Sequence, residues 1–226
     1  MNYDWQPLLL TVQLAGVTTL ILILLGIPLA AWIAHSRSRV KPLIETLVSL
    51  PLVLPPSVLG FYLLLLFSPQ HALGAMLRDH LNLSLVFSFE GLVLGSVLFS
   101  LPFMVQPLQS GFQSLPSSLA EASYTLGKSR LYTYLTVLLP NIRPALLAGI
   151  VLSFAHTVGE FGVVLMIGGN IPGVTRVASI AIYDEVESLN YGAAHFHASV
   201  LLVLSFSVLF VVYALNKRLQ PVRRLV

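Results

Sequence analysis

Three groups of residues have side chains and spacings that could support binding or catalysis. Residues 127–129 read Gly-Lys-Ser, the closing residues of a phosphate-binding loop. His156 and Glu160 place two ionisable groups four residues apart in an apolar segment, where such groups are costly and usually face a cavity or a bundle interior. His195 and His197 could bind a metal ion. The secondary-structure elements that carry these side chains decide whether each group binds a ligand or has a structural role.

The phosphate-binding interpretation fails on spacing. The loop requires G-x-x-x-x-G-K-[ST], so that backbone N–H groups surround the phosphates. With Gly127 as the second glycine, the first would stand at position 122, which is Ala122, and no strand pattern precedes it. The metal interpretation also fails, because residues i and i+2 of a helix do not face each other. We interpret His195 and His197 as residues at a membrane boundary and predict no metal site.

Residues 118–140 are predicted to form two short helices joined by a glycine turn. Ser118 and Glu121 have the spacing of a capping box, in which the two residues satisfy each other's backbone N–H groups. Gly127 suits the left-handed residue that ends a helix. A second helix can begin at Ser129, and Pro140 precedes the next apolar segment.

The composition is that of a membrane protein. Hydrophobic residues make up 56% of the 226 residues and charged residues 9%, with a mean hydropathy of +0.87, whereas a soluble domain is about a quarter charged. The absence of cysteine excludes disulfides and thiolate metal sites. No basic stripe supports nucleic-acid binding.

Five apolar segments approach the length of about 20 residues that a bilayer requires. They are residues 8–34, 43–67, 91–108, 144–167 and 196–215. We therefore predict an all-α polytopic membrane protein, a single domain over residues 1–226 with a cytoplasmic loop at about 109–143. Pro51, Pro55 and Pro56 interrupt the second segment, and lipid cannot satisfy the carbonyls that prolines free. That segment is expected to face an internal interface, either at the transport path or as a structural kink.

Lysine and arginine set the orientation, because cytoplasmic loops carry an excess of them. With the N-terminus outside, the external segments hold only two such residues, Arg78 and Arg176. The cytoplasmic segments hold ten: Arg37, Arg39, Lys41, Lys128, Arg130, Arg143, Lys217, Arg218, Arg223 and Arg224. The N-terminus is thus predicted to be periplasmic and the C-terminus cytoplasmic.

The segment around residue 121 resembles the EAA signature of ABC-importer permeases, E-A-A-x-x-x-G followed by I-x-L-P. In this chain the triplet is Glu121, Ala122 and Ser123, and the glycine is Gly127. The final I-x-L-P corresponds to residues 137–140, which end in Pro140. Ser123 replaces an alanine of the motif. The resemblance implies coupling helices that dock in a groove of a separate ATPase subunit. An amphipathic helix lying on the membrane surface is the alternative.

Three further segments resemble the oxyanion permeases of this class, those of the molybdate type and their sulfate relatives. They are residues 50–60 (LPLVLPPSVLG), residues 159–162 (GEFG) and residues 170–176 (NIPGVTR), where Val174 replaces an acid. The resemblance implies import of a tetrahedral oxyanion, with molybdate favoured over tungstate or sulfate.

The same resemblance implies a set of partners and a location. They are a second copy of the chain, two cytoplasmic ABC ATPase subunits that bind ATP and magnesium, and a periplasmic oxyanion-binding protein. The chain itself is expected to hold no cofactor and no catalytic residue, and to lie in the bacterial inner membrane.

Candidate gate or path residues follow from these implications. A carboxylate repels a dianion, so Glu160 is expected to be a gate or packing element, hydrogen-bonded or protonated. His156 is either a neutral core histidine or a protonated anion contact, and on one helix it would share a face with Glu160. Small polar residues of the third segment either line the path or serve helix packing. The candidates are Pro55, Pro56, Ser100, Gln106, His156 and Glu160.

Two other classes of protein were considered. An intramembrane enzyme is disfavoured because the chain has no H-E-x-x-H motif, no nucleophile elbow and no aspartate pair within its apolar segments. A secondary transporter driven by an ion gradient usually has more spans and internal repeats. It remains the alternative from a different class.

Overall fold

The computed structural model describes residues 4–219, and this part of the chain is helical, without strands. The twelve helices are α1 (Gln6–His35), α2 (Lys41–Ser49), α3 (Pro56–Phe67), α4 (Ala72–Leu81), α5 (Phe89–Gln113), α6 (Ser118–Thr125), α7 (Arg130–Thr133), α8 (Leu139–Asn141), α9 (Arg143–Val158), α10 (Gly162–Gly168), α11 (Ala178–Glu187) and α12 (Tyr191–Leu219). The predicted all-α fold is confirmed.

Within residues 4–219, three helices are long and apolar enough to cross a membrane without interruption. They are α1, α5 and the part of α12 from Tyr191 to Val212, with mean hydropathies of 2.4, 1.7 and 2.1. Helix α5 extends to Gln113, so the loop predicted at 109–143 begins a turn later than its sequence suggests. Helix α12 begins at Tyr191, before the position expected for the last span.

The second apolar segment is broken where its prolines lie. Helix α2 continues through a 3₁₀ turn at Leu50–Leu52, and α3 starts at Pro56 with its axis turned by 111°. Pro55 is extended at the junction and donates no backbone hydrogen bond. Residues 53–55 therefore form a non-helical corner within a segment that is apolar enough to lie in a membrane.

The fourth apolar segment is also divided. Helix α9 ends at Val158 and α10 begins at Gly162, with residues 159–161 between them. The expectation that His156 and Glu160 share one helix face was wrong, because the helix stops between them. A second bend of 76° separates α9 from Arg130–Asn141, which precedes it in the chain. Counting each bent pair as one span gives up to five spans.

Helices α1, α5 and α9 pack together to form the core. Met104 of α5 is fully buried between Gly26 of α1 and Gly149 of α9. A Cβ atom at Gly26 would lie 2.6 Å from Met104 Cγ, and one at Gly149 would lie 3.1 Å from Met104 Sδ. Small residues allow membrane helices to approach closely, so these two glycines bring the three spans together.

Candidate coupling loop and transport path

Helix α6 begins one residue before the position that the capping box requires. Ser117 is its N-cap residue, and no side chain caps it. The Ser117 carbonyl accepts the Glu121 N–H at 3.1 Å, so Ser118 already lies inside the first turn. The capping box predicted for Ser118 and Glu121 is therefore wrong.

The glycine turn has the geometry that its sequence predicts. Gly127 has φ +73°. Its N–H donates to the Tyr124 carbonyl at 2.9 Å, and the Lys128 N–H donates to the Ser123 carbonyl at 3.2 Å. These two bonds make a Schellman motif, which satisfies the last carbonyls of a helix. Ser129 then caps α7 by accepting the Tyr132 N–H at 3.2 Å, which confirms the predicted start of the second helix.

The two helices α6 and α7 present an exposed surface that is rich in apolar side chains. Leu126 is 76% exposed, and Tyr124, Leu131 and Leu135 are also exposed. Contiguous exposed apolar residues mark a surface for contact with another molecule. Glu121 and Ala122 are exposed beside these residues, whereas Ser123 is buried and Pro140 is half-buried in α8.

A π-helical turn at Tyr134–Leu138 connects α7 to the spans. Pro140 provides the sequence signal for it, because proline cannot continue the normal pattern of helix hydrogen bonds and crowds the preceding turn. Tyr134 donates its hydroxyl to the Ile27 carbonyl of α1 at 3.0 Å and stacks on Phe112 of α5 with ring centres 5.4 Å apart. The loop is thus fixed directly to two spans, a contact that sequence reasoning missed.

The two broken segments meet each other at their breaks. Gly162, the first residue of α10, packs on Pro56, the first residue of α3, and a Cβ atom at Gly162 would lie 2.8 Å from Pro56 Cβ. Gly60, one turn further along α3, packs equally closely on Met166. Residues 159–162 and the proline pair are thus neighbours in space. Pro55 and Pro56 are themselves exposed.

Glu160 lies within the second break and is buried, with 4% of its surface exposed. Neither carboxyl oxygen has a hydrogen-bond partner. The buried Ser96 hydroxyl of α5 has no hydrogen-bond partner either. The Glu160 carbonyl accepts the Ser179 hydroxyl of α11 at 2.6 Å, so the break is attached to the helix that follows the loop at residues 169–177.

His156 and Ser100 are brought together between α9 and α5. His156 Nδ1 lies 2.9 Å from Ser100 Oγ, which is 2.9 Å from Thr157 Oγ1. The imidazole stacks on Phe103 with ring centres 4.0 Å apart and contacts Phe99 at 4.8 Å. Glu160 is not hydrogen-bonded to this cluster. The arrangement is that of a hydrogen-bonded histidine in an aromatic interface.

Gln106 is exposed on the membrane-spanning part of α5, beside the second segment. Its amide donates to Ser49 Oγ at 3.2 Å, and Gln109, nearly one turn further on, donates to Glu45 Oε1 at 2.8 Å. An open depression of about 500 Å³ lies here, lined by Pro42, Glu45, Thr46, Ser49, Leu50 and Val53. Sequence reasoning missed Glu45 and Ser49, although their spacing of four residues places both on one face of α2.

The histidine pair near the start of α12 has a different environment from that of a metal site. His197 is buried, and its Nε2 lies 2.8 Å from the Asp4 carbonyl oxygen. Trp5 packs edge-on against Phe196 with ring centres 4.9 Å apart. These contacts hold the first described residues of the chain against the last span.

Comparison with known proteins decides the family. Residues 22–221 match the family described as the binding-protein-dependent transport system inner membrane component. The chain belongs to this family. It is thus a membrane-embedded component of a transport complex rather than an enzyme, as the sequence predicts.

Several curated proteins are similar over most of their length. The chain is 47% identical over 214 residues to the molybdenum transport system permease protein ModB of Azotobacter vinelandii, covering 94% of each chain. It is 32% identical to the protein of the same name in Escherichia coli K12, covering 82% of this chain and 81% of that protein. It is 36% identical to the sulfate transport system permease protein CysT of Salmonella typhimurium, covering 84% and 69%.

Solved structures share the fold at low sequence identity. The MetNI methionine ABC transporter, in an inward-facing conformation, matches with a TM-score of 0.73 and 15% identity over 95% of both chains. A bacterial ABC transporter involved in alginate import matches with a TM-score of 0.79 and 16% identity, covering 96% of this chain and 79% of that one. The fold is therefore that of an ABC-importer permease.

Proposed function

We propose that the chain is the permease subunit of an ATP-driven importer for a tetrahedral oxyanion, and that the anion is molybdate. The observation that carries this proposal is the 47% identity to a molybdenum permease over 94% of both chains. Sulfate is the second candidate, because the sulfate permease of Salmonella typhimurium is 36% identical. Tungstate, which has the same shape and charge, is expected to compete with molybdate.

The permease is proposed to act as a homodimer with the transport path along the dimer axis. Irregular backbone at membrane depth is tolerated only against protein or water, yet the corner at residues 53–55 is uncovered in a single chain, with Val53 83% exposed. Gln106 exposes an amide beside the same segment. A second copy facing this side would shield both features from lipid and enclose a polar path.

The ATPase subunits are proposed to dock on the cytoplasmic loop at about 109–143. The exposed apolar residues of α6 and α7 support this, as do Glu121, Ala122 and Gly127 on the exposed side of the same unit. Pro140 and the buried Ser123 would shape the loop from within. ATP and magnesium would be bound by the ATPase subunits, so this chain would supply the mechanical connection only.

The two breaks are proposed to form the gate. The proline pair Pro55–Pro56 and the break holding Glu160 are in contact through Gly162, so movement of one displaces the other. Glu160 is buried away from the exposed face, which suits a packing role better than contact with a dianion. Gln106 would line the path, while Ser100 and His156 would hold α5 and α9 together behind it.

The chain is proposed to lie in the bacterial inner membrane with its N-terminus in the periplasm and its C-terminus in the cytoplasm. The excess of basic residues on the α6–α7 side supports this orientation. Arg223 and Arg224, which contribute to the excess, lie outside the described residues, as do the side chains of Lys217 and Arg218. A periplasmic binding protein would deliver the anion to the outer face.

Uptake by the purified complex tests the proposal. The permease, its ATPase and its binding protein are reconstituted in vesicles, and import of labelled molybdate is measured with and without ATP on the cytoplasmic side. Unlabelled tungstate and sulfate are added as competitors. Uptake by the permease alone, driven by an ion gradient, would instead support a secondary transporter.

A further inference from the structure

The coupling helices enclose a single pair of buried side chains. Between Glu121 and Thr133 every side chain is exposed except those of Ser123 and Thr133, which are 6% and 0% exposed. Their hydroxyl oxygens lie 2.8 Å apart and join α6 to α7. A polar contact thus occupies the position where most helix pairs place an apolar core.

The direction of this hydrogen bond follows from the neighbouring contacts. A hydroxyl group has one proton to donate. Thr133 donates its proton to the Ser129 carbonyl at 3.0 Å, so it can only accept from Ser123. Ser123 is therefore the donor, and Thr133 Oγ1 accepts its proton while remaining bonded to its own helix.

No other buried side chain joins α6 to α7 between Glu121 and Thr133. Gly127, which joins them, has no atom within 4 Å of the position of a Cβ, and Leu126 and Leu131 on either side are exposed. Leu119 and Ala120, at the start of α6, pack against the membrane core, and α6 also contacts the π-helical turn at Tyr134–Leu138. Between Glu121 and Thr133, the hydroxyl pair is the one buried side-chain contact that fixes the angle between α6 and α7.

We propose that Ser123 and Thr133 form a clasp that makes the two coupling helices one rigid body. This inference rests on the proposed coupling function of the loop. When the ATPase moves α6, an intact clasp carries α7 and Tyr134 with it, and Tyr134 is bonded to α1. With the clasp open, α6 can swing about the Gly127 turn, and ATP is hydrolysed without a matching displacement of the spans. Both are positioning residues.

The two partners are not equivalent, and this gives the proposal a distinctive signature. Ser123→Ala removes the donor but leaves Thr133 bonded to the Ser129 carbonyl. Thr133→Val removes the acceptor and leaves the buried Ser123 hydroxyl without its partner, which is the more costly kind of loss. Adding Ser123→Ala to Thr133→Val removes that orphaned group. The double variant is therefore expected to function better than Thr133→Val alone.

The test measures molybdate imported per ATP hydrolysed by the reconstituted complex. Thr133→Val is expected to lower this ratio on the order of 3-fold or more, and Ser123→Ala less, as suits the loss of one buried hydrogen bond. Thr133→Ser keeps the hydroxyl and should restore the ratio. Ser207→Ala removes an exposed hydroxyl bonded to the Val203 carbonyl of α12, and serves as the control.

The outcomes separate this inference from the proposed function. If the wild-type complex transports, and Thr133→Val and Ser123→Ala both keep its ratio, the clasp is refuted while the permease assignment stands. If Thr133→Val does not assemble with the ATPase, the comparison of Ser123→Ala with wild type decides: an unchanged ratio refutes the clasp and a lowered one supports it. If the wild-type complex shows no ATP-driven uptake, the proposed function itself fails.

Discussion

At the scale of single residues, Gly127 shows how a local conformation follows from sequence. A left-handed φ costs a residue with a Cβ roughly 1–2 kcal/mol, and glycine at the end of a helix avoids this cost. The same residue was the apparent second glycine of a phosphate loop, and Ala122 at the position of the first glycine removes that interpretation.

Replacing Gly127 should uncouple the loop. Proline cannot adopt the φ of +73° found there, so Gly127→Pro is expected to abolish ATP-driven uptake by moving α7 relative to α6. Membrane insertion should be unchanged, as measured by the amount of permease in the membrane fraction. Gly127→Asn is the matched control, because asparagine tolerates the left-handed region, and it should keep most of the uptake. Equal uptake by the proline variant would contradict the role assigned to this turn.

Other residue-level features were not accessible from sequence. Ser118 has the type and spacing of an N-cap residue, but Ser117 is equally able to begin a helix. In the structure, Ser117 is the N-cap residue of α6. Ser123 and Thr133 are ten residues apart in different helices, so their contact depends on the angle of the turn between them. Sequence patterns report neighbours along one helix, whereas this pair is set by tertiary packing.

At the scale of elements, the two broken segments differ in how well sequence predicts them. Pro55 and Pro56 predict the corner between α2 and α3, because proline disrupts a helix for steric reasons. The break at residues 159–161 contains no proline, and Gly159 within it and Gly162 after it are compatible with a continuous membrane helix. The contact of this break with the first one, through Gly162 and Pro56, is visible only in the structure.

The contact between the breaks can be tested by adding one methyl group. In Gly162→Ala the new Cβ would lie 2.8 Å from Pro56 Cβ and 3.3 Å from the Ser57 nitrogen, both of them rigid neighbours. Overpacking of this kind costs about 1–3 kcal/mol, so the Tm of the purified permease should fall. Gly16→Ala, where no atom lies within 4 Å of the new Cβ, is the control and should not lower it. An equal Tm in both variants would show that the breaks do not pack as described.

At the scale of the whole molecule, apolar length predicts the candidate spans, of which the described residues hold three or up to five. The sidedness of the loops stays a prediction from the basic residues. Neither prediction requires knowledge of how the helices pack. The arrangement of the proposed dimer cannot be predicted in this way, because it depends on which exposed surface a second chain would cover. The uncovered corner at residues 53–55 is the structural feature that points to one face.

Cross-linking tests that face. The chain contains no cysteine, so a single Val53→Cys variant reports on one position. If the corner lies at the dimer axis, a short bifunctional thiol reagent should convert this variant to a covalent dimer in membranes. Phe210→Cys, also at an exposed position but on α12, should remain monomeric. Cross-linking of Phe210→Cys with none at Val53→Cys would place the second copy on the other side of the molecule.

The central claim is that this chain passes an oxyanion across the membrane when a separate ATPase hydrolyses ATP. Its most direct test is labelled molybdate uptake into vesicles that hold the permease, the ATPase and the binding protein. The account predicts uptake that requires all three proteins and ATP on the cytoplasmic side, and that tungstate suppresses. Uptake by the permease alone, or uptake unaffected by the absence of ATP, would contradict it.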